Sequence, residues 1–194
     1  MSVKLTVILP LRNREPAVAG MVRVAVELGR ATAGAGNFEV LALDEHSGDN
    51  TLSLLSVLHG RVSELRTLQE VREGTAVATA SRMARGEHCI YFDRLVDPEL
   101  ARWGVRQLAG GHRAAVVPGE ILAVETRLGA HVLGNLYGGL VSAQKAVEQE
   151  MDARGRHVAW RPAPDRGLAE RALLFVRRRL GWVGLGQLDR PLGT

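Results

Sequence analysis

The sequence predicts one α/β domain built on an open, mostly parallel sheet with helices on its faces. Short apolar runs rich in β-branched residues alternate with stretches of helical periodicity, the pattern of successive βαβ units. Those runs are nearly continuous in hydrophobicity, as strands covered on both faces require. A length of 194 residues with 46% hydrophobic content supplies one domain-sized core.

Residues 3–9 (VKLTVIL) read as a buried strand that Pro10 ends. Val18, Met21, Val22, Ala25 and Leu28 recur every three or four positions and predict a helix, closed by Gly34 and Gly36. Phe38 to Leu43 (FEVLAL) forms the next strand, and DEHSGDNT at 44–51 a polar turn. Leu52 to Leu58 reads as helix and Leu65 to Leu68 as a short strand. Gly74 opens the small-residue helix TAVATASRMA, suited to close approach to a sheet. Cys89 to Phe92 is a strong strand, followed by DRLVDPEL and a helix through Leu108. Ala114 to Val117 is a central strand, and Ile121 to Thr126 a further one. Residues 140–153 are predicted helical, His157 to Trp160 return to the sheet, and a last helix covers Leu168 to Leu180.

The net charge of +4 is uneven. Residues 1–150 hold 16 basic and 17 acidic residues, whereas 151–194 hold nine arginines against Asp152, Asp165, Glu170 and Asp189. The basic tail suits phosphate, RNA or an anionic membrane face. With only 4% aromatics a base-stacking platform is poorly supplied, so nucleic acid is a disfavoured partner. RALLFVRRRLGWVG at 171–184 is either a closing core helix with solvated arginines or a peripheral membrane or partner contact. The lone Cys89 excludes an internal disulfide, and no run of 18 uncharged apolar residues occurs. A cytoplasmic protein is expected, either free or peripheral to a membrane.

Open parallel sheets bind ligands beyond the carboxyl ends of their strands. That rule selects Pro10–Arg14, Asp44–Thr51 and Asp93–Asp97. Asp44 and Glu45 follow a strand directly, where carboxylates either accept hydrogen bonds from a base or ribose or cap the next helix. Asp49 and Thr51 fit a turn and cap. Asp93 ends the CIYF strand and could hold a divalent cation. Asp97 precedes Pro98, the arrangement of an N-cap followed by proline at the first helical position. Arg12, Arg14 and Arg94 occupy rim loops and could pair with phosphate oxygens. Gly74 serves either anion binding at a helix start or close packing on the sheet.

Several segments in order resemble the family 2 glycosyltransferases of GT-A fold. They are LTVILPLRNRE at 5–15, LALDEHSGDNT at 41–51 and REGTAVATASRMARGEHCIYFDRLVDPEL at 72–100, with a weaker match in ARGRHVAWRP at 153–162. The resemblance implies a nucleotide-sugar donor, a hydroxyl acceptor, and Mg or Mn at the donor diphosphate. On it, residues 1–118 are the nucleotide-binding half, and 119–194 a short acceptor-side region with the basic C-terminal helix. Pro10 and Asn13 would border the nucleotide, and Asp44 would contact its base or ribose. Glu45 stands where the family has a second Asp. Arg72 and Gly74 would lie near the sugar or diphosphate. The family's Asp-x-Asp is here Asp93-Arg94-Leu95, and Leu95 cannot coordinate a cation. That loss weakens a metal site and raises Arg94 as direct positive charge for a diphosphate. Glu148 and Glu150 are candidates for the acceptor-side acid, and His131 for a late metal ligand.

The alternative reading is a degenerate relative that binds a nucleotide or a partner without turnover. A homo-oligomer is the weaker expectation, from the short acceptor region. The histidines show no H-E-x-x-H spacing, and neither GxxxxGK[ST] nor GxGxxG occurs.

Overall fold

A computed structural model of the chain describes residues 3–164. Among them, seven strands form one sheet: β1 (Leu5–Leu11), β2 (Phe38–Asp44), β3 (Leu65–Leu68), β4 (His88–Tyr91), β5 (Ala114–Val117), β6 (Ile121–Glu125) and β7 (Ala159–Trp160). The helices are α1 (Val18–Ala33), α2 (Thr51–His59), α3 (Ala76–Met83), α4 (Pro98–Ala109), α5 (Thr126–Leu133) and α6 (Leu140–Ala153). The sheet order is β3-β2-β1-β4-β6-β5-β7, and only β6 runs against its neighbours.

Both faces of the sheet are covered, which explains the unbroken apolar runs. Leu5, Val7, Leu9 and Leu11 of β1 join a core layer with Val18, Met21 and Val22 of α1, Leu55 of α2 and Leu100 of α4. Ile8, Leu41 and Leu43 face the opposite layer, made by Ala76 and Val77 of α3, Leu128 of α5 and Val147 of α6. Helices therefore change face between α2 and α3, while the strand order turns back between β1 and β4. That reversal opens a crevice at the carboxyl edge between the β1–α1 and β4–α4 loops.

Pro10 does not end β1, which runs on to Leu11 and starts at Leu5 rather than Val3. The carbonyls of Lys4 and Ile8 point toward β4, so the Pro10 nitrogen faces that side too. The β1–β4 ladder stops at Ile8–Tyr91, so there is no partner left for the missing donor. On its other side β1 continues to pair, Leu11 against Asp44.

The expected strand at 121–126 ends at Glu125, and Thr126 begins α5, a helix the sequence reading lacked. A tight three-residue hairpin joins β5 to β6, with Gly119 at φ +70° supplying the left-handed residue that such a loop needs. The return strand is confined to Ala159–Trp160. The predicted helix at 168–180 and the basic stretch at 171–184 lie outside the described residues. Among those described, no helix is long and apolar enough to cross a membrane.

Candidate functional site

The loops that follow β1, β2 and β3 are laced together at the carboxyl edge. The Asn13 amide donates to Ser47 Oγ at 2.9 Å, and the Gly48 amide returns a bond to Asn13 Oδ1 at 2.8 Å. The Arg14 amide donates to Thr51 Oγ1, and the Glu15 amide to Asp49 Oδ2. Glu15 in turn accepts from the Asn50 amide and side chain. Arg12 forms an ion pair with Glu73 of the β3–α3 loop.

Backbone strain gathers in the same place. Among the described residues, the non-glycine positions with positive φ are Asn13, His46 and Glu70, one in each of these three loops. Left-handed backbone at non-glycine residues survives only where surrounding contacts over-determine it, and it concentrates at ligand sites. Arg14 Nε adds an unsatisfied donor, buried without a hydrogen-bond partner in the β1–α1 loop.

Asp44 is 2% exposed, and its carboxylate accepts from the Ser47 amide at 3.1 Å and hydroxyl at 2.5 Å. It closes its own loop by a side-chain bond to the backbone three residues on. Glu45 reaches across to the start of α3, accepting the Ala76 amide at 2.9 Å. This is a helix cap supplied from another loop, since Thr75 provides no side-chain cap. Asp49 accepts from the Thr51 amide and hydroxyl at the start of α2. Burial raises its pKa, but the bonds from the Thr51 side chain and from the Glu15 and Thr51 amides prevail and hold it below 3.8.

On the other side of the crevice, Arg94 Nε donates to Asp93 Oδ1 at 3.0 Å, both side chains being half-buried. Burial lowers the Arg94 pKa, but the Asp93 charge and hydrogen bond and the charge of Glu120 outweigh it and raise the value. Glu120 is the acid that sequence reasoning missed. It is buried in the β5–β6 hairpin, and the antiparallel ladder ending at Tyr91–Leu122 carries it alongside Asp93. Its only sequence signal was a carboxylate beside the turn glycine at a strand's carboxyl end. Leu95 is half exposed and lies against Gly20 in the first turn of α1. Asp97 caps α4 as predicted, accepting the Glu99 amide at 2.9 Å.

Arg72 is exposed in the β3–α3 loop, and its carbonyl accepts from the Thr75 amide and hydroxyl. Gly74, with φ +74°, accepts the Gly138 amide through its carbonyl at 2.8 Å. Pro10 thus ends up inside β1, one residue before the edge. Gln144 of α6 ties the hairpin to that helix, its amide donating to the Val117 and Ile121 carbonyls while its oxygen accepts the Gly119 amide. Glu148 stands half-buried one turn further along α6. Glu150 faces His131 at 3.8 Å and pairs with Arg154, so both are engaged between helices. Cys89 is buried with its pKa pushed up to about 11 by desolvation, which leaves it inert as a nucleophile.

Among the described residues no group of three or more His, Cys, Asp or Glu is placed to hold a metal ion. Asp93 offers one carboxylate, with Glu120 carried toward it by the strand register. A hard cation there would complete its oxygen shell from phosphates and water, the way Mg is commonly held.

No family model matches the sequence, and no curated protein matches it. Solved structures do resemble the fold. A mannosyltransferase from Pyrobaculum calidifontis in complex with GDP-Man and Mn2+ aligns over 100% of this chain with TM-score 0.67 at 18% identity, and the chain spans 66% of its length. Mannosyl-3-phosphoglycerate synthase from Rubrobacter xylanophilus aligns over 99% of this chain and 78% of its own, with TM-score 0.56 and 16% identity. A cytidylyltransferase from Leptospira borgpetersenii aligns over 85% of this chain and 78% of its own, with TM-score 0.51 and 10% identity. The fold is that of the GT-A nucleotide-diphospho-sugar transferases.

Proposed function

We propose that this chain is a glycosyltransferase of the family 2 type, moving a sugar from a nucleotide-sugar donor to a hydroxyl acceptor. The observation that carries the reading is the meeting of the strained β1–α1, β2–α2 and β3–α3 loops with Asp93 and Arg94 at one sheet edge. The neighbouring structure that holds GDP-Man and Mn2+ supports a donor of this chemistry.

The nucleotide lies along the loops of Asn13 and Asp44. Asp44 acts on it through the loop it closes, its own carboxylate being occupied by Ser47. Glu45 acts by fixing the start of α3, whose preceding Arg72 and Gly74 flank the diphosphate and sugar. Arg94 and Arg14 place positive charge at the diphosphate. Mg or Mn, held by Asp93, would supply further charge stabilisation of the leaving phosphate.

In the transfer, the acceptor oxygen bonds to the sugar carbon as that carbon's bond to the diphosphate breaks. The hydroxyl proton passes to a carboxylate and the nucleoside diphosphate leaves. Glu148 is the carboxylate that the sequence offers for this role. The strand register also carries Glu120 to this edge, where its charge acts on Arg94.

The test is turnover against a nucleotide-sugar panel, with and without Mg or Mn, comparing wild type with Asp93→Ala, Glu120→Gln and Glu148→Gln. Sharp loss in Asp93→Ala and in one of the two glutamate variants is expected. Full activity in Asp93→Ala rejects the assignment. A folded wild type that binds nucleotide but shows no turnover favours the degenerate binding protein, a reading consistent with Arg94 occupying one oxygen of Asp93.

A further inference from the structure

Tyr137 is 69% exposed, although it stands against one of the edge loops. It belongs to the segment between α5 and α6, which reaches the β3–α3 loop through the Gly138 amide donating to the Gly74 carbonyl at 2.8 Å. A β-carbon built on Gly74 would stand 2.9 Å from Tyr137 Cε2 and Cζ. The ring therefore rests directly on the glycine backbone. Gly74 is demanded twice over, by its left-handed φ of +74° and by the space the ring fills. Among the described residues no hydrogen bond holds the Tyr137 hydroxyl.

A broad aromatic surface is thus held against the β3–α3 loop, with most of its area in water. The face of an aromatic ring is apolar and carries partial negative charge. A pyranose ring has the complementary form, with C–H groups on its flat faces and hydroxyls around its rim. The proposed nucleotide and diphosphate contacts are made by the loops of Asn13, Asp44 and Arg94, which leaves this ring to the sugar. We infer that Tyr137 is the wall on which a pyranose ring lies in this site, a specificity-determining contact with sugar and not with nucleotide. The inference rests on the nucleotide-sugar reading above. The pyranose is that of the donor or of a sugar acceptor, which share this chemistry.

Calorimetry on the full chain decides it, with GDP, GDP-mannose, UDP and UDP-glucose, and with methyl α-mannopyranoside added to the nucleotide-bound protein. Wild type, Tyr137→Phe and Tyr137→Ala are compared. The preferred nucleotide-sugar binds wild type more tightly than its bare nucleotide. That advantage shrinks about fivefold in Tyr137→Ala and persists in Tyr137→Phe, while affinity for the bare nucleotide is unchanged in both. An intact advantage with weakened methyl mannoside binding in Tyr137→Ala assigns the wall to a sugar acceptor. If Tyr137→Ala leaves both sugar readouts intact, or weakens nucleotide and nucleotide-sugar equally, the inference about Tyr137 falls while nucleotide binding stands. A wild type that binds no nucleotide overturns the underlying reading and this one together.

Discussion

Arg94 Nε donates to Asp93 Oδ1 at 3.0 Å, so the acid that closes β4 is already paired with the residue beside it. On the proposed function, the pair would govern how the site handles a diphosphate. With Arg94 present, positive charge is in place without a metal ion. Without it, Asp93 loses the cation paired with it, and a metal ion at that carboxylate gains in value. Arg94→Ala should therefore cost about tenfold in nucleotide-sugar affinity in the presence of chelator, the scale of a charged hydrogen bond. Adding Mn2+ should recover more affinity in the variant than in wild type. Equal Mn2+ responses in the two proteins would remove Arg94 from the diphosphate site.

Glu45 offers a separate handle, because its contact is with backbone. Removing the carboxylate leaves the Ala76 amide at the α3 N-terminus without its acceptor. Glu45→Ala should lose about 1 kcal/mol of stability, a fall of about 3 °C in Tm for a chain of this size. Glu45→Gln keeps a side-chain oxygen at the same reach and should melt close to wild type. Thermal melts of the three proteins without ligand check this. A Glu45→Ala that matches wild type would show that the cap is dispensable.

The sheet was largely legible because strands covered on both faces must be apolar throughout. Leu65–Leu68 and Ala114–Val117 stand where their composition put them. Pro10 misled because a proline halts a strand only where its nitrogen faces a paired neighbour, and pairing partners are not visible in one segment. Helix α5 was hidden because Thr126 follows β6 with no turn residue between, and its N-cap Glu125 makes no side-chain capping bond. Within the site, Asp97 was readable from the proline beside it. The reach of Glu45 to Ala76 was not, since 31 positions separate them. Glu120 gains its meaning from strand register and Tyr137 from a loop docking far along the chain, neither of which local pattern encodes.

Asp49 makes the lacing of the β1 and β2 loops sensitive to acid. Its carboxyl is held below the ordinary 3.8 in the folded protein, despite burial, by bonds from Thr51 and Glu15. A depressed carboxyl stabilises the fold above the unfolded value, and that contribution disappears as pH falls through the folded one. Urea midpoints should show Asp49→Asn less stable than wild type by a constant margin at neutral and mildly acid pH. The margin should narrow only once pH drops below 3.8. A margin that narrows instead near neutrality would assign the coupling to a different group.

Gly74 carries two burdens that mutation can separate. Gly74→Ala forces an L side chain into φ +74° and drives its methyl into the Tyr137 ring. The left-handed backbone alone costs on the order of 1–2 kcal/mol, and the collision adds to it unless the ring moves. Adding Tyr137→Ala removes the collision and leaves the backbone strain. The double variant should therefore be more stable than Gly74→Ala, yet less stable than Tyr137→Ala alone. Denaturant unfolding of the four proteins in a double-mutant cycle reads the coupling directly. Strict additivity would mean that the ring has no fixed seat on Gly74, and a mobile ring is a poor wall for a sugar.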